Sequence, residues 1–129
     1  MDVKEFLKND RFAAMLGIDL LEAANGKAKA KLEIKEQHLN TIDIAHGGAI
    51  FSLADFTFAA ASNSHGTVAV AINANISFVK ATGKGILTAE AFEVSKNRKL
   101  ATYTINVTNS KNELIASFQG MVYRKKDTF

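Results

Sequence analysis

Between residues 47 and 61 the chain reads GGAIFSLADFTFAAA, a stretch with one charge, Asp55, and apolar character on every side. A helix that is hydrophobic all round cannot lie on a surface, so other elements must enclose it. A carboxylate inside such a helix costs free energy unless a partner or a chemical task accounts for it. The run opens on Gly47 and Gly48, directly behind His46. Glycines there leave room for a group to approach the unpaired N–H groups and positive dipole end of the helix. An end that attracts an oxyanion, and a lone acid on the same enclosed helix, point to acyl chemistry.

The rest of the chain supplies the enclosure. Lys27 to Lys35 alternates strictly, with Ala28, Ala30, Leu32 and Ile34 on one face and lysines on the other. Period two marks a strand with one dry and one wet face, and the lysine row reads as the solvated side. Ile18 to Ala24 is a strand before it, joined through Asn25-Gly26, a strong hairpin signal. After the helix come Val68–Val79, Ile86–Val94, Ala101–Thr108 and Leu114–Tyr123, separated by polar turns; Gly83-Lys84-Gly85 belongs to one of these. Upstream, residues 2 to 16 read as helix with Asp2 as cap and Gly17 as stop, and a second start at Asp10 would split it in two. Arg124 to Lys126 form a basic tail expected to fray. The fold class expected is α+β: six mostly antiparallel strands curled round a central buried helix at about 47–63. The open sheet face left over predicts self-association.

At 129 residues, residues 1–129 read as one domain with a real core. Cysteine is absent, which excludes disulfides, Cys-ligated zinc and thiol catalysis. No HxxxH or HxxE pair suggests a metal, so none is expected. The start, MDVKEFLKND, lacks an apolar core for a signal peptide, and no apolar run reaches the length of a membrane span. The expected location is the cytoplasm, with no membrane partner. The net charge of +3 suits a phosphate-bearing small molecule; the basic helix or aromatic stacking motif of a nucleic-acid binder is missing. His38 and His65 read as loop residues, and Ser52 as a packing residue.

Asn40-Thr-Ile-Asp-Ile-Ala-His46-Gly47-Gly48 followed by Asp55 resembles the N-x5-HGG-x6-D signature of hotdog-fold acyl-CoA thioesterases. The continuation from Phe56 to Gly66 is similar to the branch of phenylacetate degradation, the PaaI type, and Asn75 to Gly85 follows the same layout. The resemblance spans roughly residues 15 to 124. It implies a hotdog fold and hydrolysis of an acyl-CoA, with aryl-acetyl thioesters as the expected class, no cofactor besides the CoA of the substrate, and homotetramers. Asp55 would act as base or nucleophile. The Gly48 N–H would polarise the carbonyl, as an oxyanion donor does. Asn40 would orient the thioester or the water, and His46 would shape the loop and contact the carbonyl. Two departures stand out. Lys80 occupies a position where relatives often carry proline, and the strand hydroxyl that helps orient water in some relatives falls here near Ala71 and Asn73.

Gly48 and Asp55 lie seven residues apart, about 10 Å along a helix at ~1.5 Å per residue. A base must come within about 3 Å of the water it activates. Two antiparallel helices related by a two-fold axis bring the acid of one to the donor of the other, so the expected assembly is a homodimer with shared sites. Lys80, Lys84, Arg98 and Lys99 sit on turns suited to CoA phosphates, and Gly47 and Asn73 complete the expected substrate-binding set. Three other readings stay open: a medium-chain fatty acyl-CoA thioesterase, a hotdog hydratase or dehydratase working through a His–acid pair, and a non-catalytic acyl-CoA binding module.

Overall fold

In the computed structural model, which describes residues 1–129, the N-terminal segment is two helices. Asp2 accepts the Glu5 N–H and caps α1 (Val3–Leu7), and Asp10 accepts the Ala13 N–H and caps α2 (Arg11–Leu16). Gly17 closes α2 in the left-handed region at φ +88°, where a side chain would strain the backbone. Buried His38, on a short 3-10 turn, pins the end of α2: its Nε2 meets the Leu16 carbonyl at 2.8 Å and its Nδ1 accepts from Lys35 N–H.

The strands are β1 (Asp19–Ala24), β2 (Lys27–Ile34), β3 (Thr67–Phe78), β4 (Gly85–Lys96), β5 (Leu100–Thr108) and β6 (Leu114–Thr128). They form one sheet in the order β1-β2-β4-β5-β6-β3, every neighbouring pair antiparallel. Asn25 and Gly26, at φ 53° and 80°, make the tight β1–β2 turn. The sheet curls round α3 (Gly47–Asn63), as the sequence predicts for a hotdog fold.

Small residues let the helix sit close. Ala28 and Ala30 of β2 and Ala89 and Ala91 of β4 are buried beneath α3. On the other side Phe58 lies between Tyr103 and Phe118, at ring-centroid distances of 5.8 and 5.5 Å. A Cβ on Gly120 would stand 2.6 Å from the Phe58 ring, so only glycine admits that ring. Truncating Phe58 to alanine would cost about 3–5 kcal/mol, the range for a buried aromatic.

Three expectations change. The last strand does not stop at Tyr123 with a frayed tail. It runs to Thr128, tied by Arg124 to the carbonyls of Asn97 and Lys99, and Phe129 stacks on Phe6 at 4.3 Å. The outer sheet face, expected to be open for self-association, is mainly polar, which is not what a face buried between subunits would call for. It presents Lys29, Lys31, Glu90, Thr102, Thr104, Asn106 and Gln119, with exposed apolar side chains only in small groups, Phe92 and Val94 on β4 and Tyr123 opposite Val70. Exposed apolar side chains gather instead along β3, an edge strand of 12 residues carrying Val70, Ile72 and Phe78. Unpaired edges of that length are ready to pair with another strand. Finally, α3 is not enclosed all round: Gly48, Ser52, Asp55 and Ala59 form a stripe that the sheet leaves uncovered. No helix is long and apolar enough to cross a membrane.

Candidate active site

The loop before α3 is built around one amide. Asn40 Oδ1 accepts the N–H groups of Ile42 and Ile44 at 3.0 and 3.2 Å, while the backbone N–H of Asn40 donates to Ile44 O at 2.8 Å. Those two donors fix which way the amide faces and leave Nδ2 as the only group Asn40 can offer a ligand. Ala45 N–H then donates to Thr82 O, and His46 N–H to His38 O. The loop therefore arrives anchored on both sides, with the 80–84 turn beside the start of α3.

His46 is the N-cap of α3, and its Nδ1 accepts the Gly48 N–H at 2.7 Å. A Cβ on Gly48 would lie 2.9 Å from that nitrogen, so the close cap requires glycine. Ala49 and Ile50 N–H both reach His46 O. Gly47 N–H alone in the first turn has no partner. The structure thus differs from the expected donor: the Gly48 N–H is occupied by the histidine it follows, and the Gly47 N–H is the open one.

Two turns further on, Asp55 lies half-buried on the uncovered stripe and accepts no hydrogen bond from any protein group. Burial, reinforced by the nearby charge of Asp10, raises its affinity for a proton above that of an ordinary aspartate. A cavity of about 300 Å³ opens beside it between α2 and α3, lined among others by Asp10, Phe12, Phe51, Ser52 and Phe56. Ser52 Oγ donates to Gly48 O and so ties the stripe to the helix start. Asp10 and Phe12 escape the sequence reading because nothing local links them to Asp55. The one available signal was the cap that starts α2 at Asp10.

The remaining expected residues divide. Asn73 stands opposite Met121 on the outer sheet face, away from α3, because a bulge between Ala71 and Asn73 inserts Ile72 and shifts the alternation. It cannot serve the site of its own subunit. The inward residues of β3 are Ala69, Ala71, Ala74, Ile76 and Phe78, so this strand offers the site no hydroxyl. Lys80 and Lys84 flank the α3 start but are paired with Glu113 and Glu36. Arg98 and Lys99 lie on the β4–β5 hairpin. Through Arg124 and Ala69 that hairpin neighbours Asn63, at the opposite end of α3.

That opposite end holds the only histidine–carboxylate pair. His65 Nε2 meets Glu93 Oε2 at 2.6 Å, and Tyr103 OH donates to the same oxygen at 2.9 Å. His65 is therefore no free loop residue. Burial opposes the charge on Glu93, but the bonds from His65 and Tyr103 outweigh it and hold the carboxyl below its usual range. Both side chains are largely buried, and the pair lines neither the cavity at Asp55 nor the space below α1.

Known proteins agree with this architecture. Residues 43–116 match the Thioesterase superfamily. The chain is 47% identical to a protein of Archaeoglobus fulgidus, covering 98% of this chain and 84% of that one. It is 36% identical to the acyl-coenzyme A thioesterase PaaI of Escherichia coli, over 91% of this chain and 84% of the relative. The solved structure of E. coli PaaI superimposes with a TM-score of 0.94 at 34% identity, covering 98% and 93% of the two chains. The chain belongs to the thioesterase superfamily, in its PaaI-type hotdog branch, and is a thioester hydrolase, an acyl-CoA thioesterase.

Proposed function

We propose that the protein hydrolyses aryl-acetyl thioesters of CoA in sites shared by two subunits, with Asp55 as the general base. One observation carries this reading: a half-buried carboxylate with no hydrogen-bond donor lies on the one uncovered stripe of a helix whose first N–H is also unpaired. A carboxylate so placed is a stronger base than a solvated one, and it has a free lone pair for a water. The three phenylalanines beside it suit an aryl group. The solved E. coli relative is the PaaI protein of a phenylacetic acid degradation operon, which supports the same substrate class.

In the proposed reaction, Asp55 takes a proton from water as the water oxygen bonds to the thioester carbon. The carbonyl oxygen gains charge and is met by the N–H of the partner subunit's Gly47, with the Gly48 N–H joining when His46 swings aside. Asn40 donates through Nδ2, the only face its loop leaves free. Collapse of the intermediate breaks the C–S bond, and the proton on Asp55 passes to the leaving thiolate. Free acid and CoA result. The small side chains on the exposed stripe permit two α3 helices to approach, and pairing of two β3 edges would hold them antiparallel. That arrangement also brings the Arg98 and Lys99 hairpin of one subunit toward the other's helix start, alongside Lys80 and Lys84, to receive CoA phosphates.

Subunit exchange tests the shared site. Proline at position 47 removes one N–H yet suits the first position of a helix, and His46 at φ −63°, ψ 135° already has the conformation that precedes proline. Asp55→Ala and Gly47→Pro homomers should each be inactive in thiol release from phenylacetyl-CoA. Exchanged subunits should regain activity, because each mixed dimer contains one intact site. Folded mixed dimers that stay inactive, while wild-type subunits exchanged with either variant keep working, would overturn the model.

A further inference from the structure

The cavity at Asp55 has a second wall. Its far side is α2, which contributes Asp10, Phe12 and Ala13, while α3 contributes Phe51 and Phe56. The helix is held as a fixed element: capped by Asp10, closed by Gly17 and pinned by His38 to the Leu16 carbonyl. Phe51 is committed to the core through its edge-on contact with Phe118. Phe12 has no aromatic partner and is 58% exposed, a large ring left at the mouth of a cavity beside the reacting acid. At about 300 Å³ the space is at the small end of ligand pockets. Asp10, Ala13, Ile18 and Phe56 are shared with a neighbouring space of about 610 Å³ below α1, where Asp2, Glu5 and Asp19 face Lys4 and Lys8.

Resting on the reading of Asp55 as the group that acts on the thioester, we propose that the cleft between α2 and α3 receives the acyl group. Phe12 is the residue that selects it, favouring an uncharged acyl group long enough to reach its ring. An acyl group ending in a carboxylate would meet Asp10 and Asp55 at close quarters and then a neighbouring space with more acids than bases. A hydrophobic wall of this kind sets discrimination of about 10- to 100-fold.

The test compares kcat/KM for phenylacetyl-, hexanoyl-, glutaryl- and acetyl-CoA in the wild type, Phe12→Ala and Phe12→Leu. The wild type should prefer phenylacetyl and hexanoyl over glutaryl. In Phe12→Ala the phenylacetyl-to-acetyl ratio should fall about 10- to 100-fold, with partial recovery in Phe12→Leu. A ratio within about twofold of wild type, or equal loss on every substrate, would overturn the proposal. A readout independent of turnover locates the group directly: 4-azidophenylacetyl-CoA, irradiated on Asp55→Asn protein, should label residues 10–16. Labelling confined to other segments also overturns it. The two readings separate cleanly, because an active Asp55→Asn enzyme labelled on α2 loses the base and keeps the pocket, whereas an inactive one labelled elsewhere does the reverse.

Discussion

The two ends of α3 are finished differently. At the C-terminal end every polar side chain is spoken for. Asn63 donates to Ala59 O and accepts the Ala69 N–H, Ser64 accepts the Gly26 N–H and donates to Ala61 O, and Glu93 takes both His65 and Tyr103. Toward the N-terminal end the Gly47 N–H, the Asn40 Nδ2 and the Asp55 carboxylate are all left without partners. All three are partly exposed rather than sealed in the core, so a ligand can reach them, and of the three Asp55 carries a burial penalty on its charge. One end of the helix is closed by its own side chains, and the other keeps the open groups that the proposed reaction uses.

The strongest way to break this comparison is to remove the open acid. Asp55→Asn should lower kcat by about 10²- to 10⁴-fold, the usual contribution of a positioned base. The same change should stabilise the protein at neutral pH. Because the folded state raises the affinity of Asp55 for a proton, stability falls as pH climbs from the ordinary value of 3.8 to the raised one, and the full loss is present above it. Thermal melts should therefore show Asp55→Asn above wild type at pH 7.5, with the gap closing below pH 3.8. Retention of more than about a tenth of wild-type kcat would remove Asp55 from the mechanism.

The closed end predicts the opposite signature. Glu93→Ala leaves Tyr103 OH and His65 without their acceptor and should cost about 2–3 kcal/mol, as loss of hydrogen bonds to a charged group does. Its kcat should follow wild type at temperatures where both remain folded. The folded carboxyl sits below its usual value of 4.5, so its contribution is complete above that pH and fades as the pH drops through the lowered value. Urea melts at pH 7 and at progressively lower pH would check this, with the gap between Glu93→Ala and wild type shrinking under acid. A Glu93 variant that melts like wild type but turns over poorly would mean that the function of the two ends has been misjudged.

Much of this was legible in the sequence because the signals are local. Lys27 to Lys35 alternates in a way only a half-buried strand explains, Asn25-Gly26 supplies its turn, and Asn40, His46 and Asp55 sit in one spacing. What escaped depends on contacts between distant parts of the chain. The tail becomes a strand through Arg124 on the β4–β5 hairpin and Phe129 on Phe6. Asn73 turns outward because a single bulged residue, Ile72, reverses every side chain that follows it, and periodicity carries no mark of such an insertion. The occupied Gly48 N–H is a matter of 2.7 Å between two neighbours, a capping geometry that HGG does not distinguish from an open donor.

The finest test concerns Asp10, which belongs to both stories: its carboxylate caps α2 and its charge reaches Asp55. Besides Asp55 it is the only ionisable side chain lining the cavity. Burial is the larger cause of the raised Asp55 affinity and Asp10 the smaller, so removing the Asp10 charge should lower that affinity without restoring an ordinary aspartate. A general base works when deprotonated, so kcat/KM rises with pH through its titration. In Asp10→Asn the acid limb of the profile should move to lower pH. Asparagine caps a helix about as well as aspartate, so the melting temperature should hardly change, whereas Asp10→Ala loses the cap as well and should cost about 1 kcal/mol. Both variants should therefore move the acid limb in the same direction while only alanine weakens the fold. A limb that moves only in the alanine variant would trace the effect to displacement of α2, and the charge of Asp10 would then have no part in tuning the base.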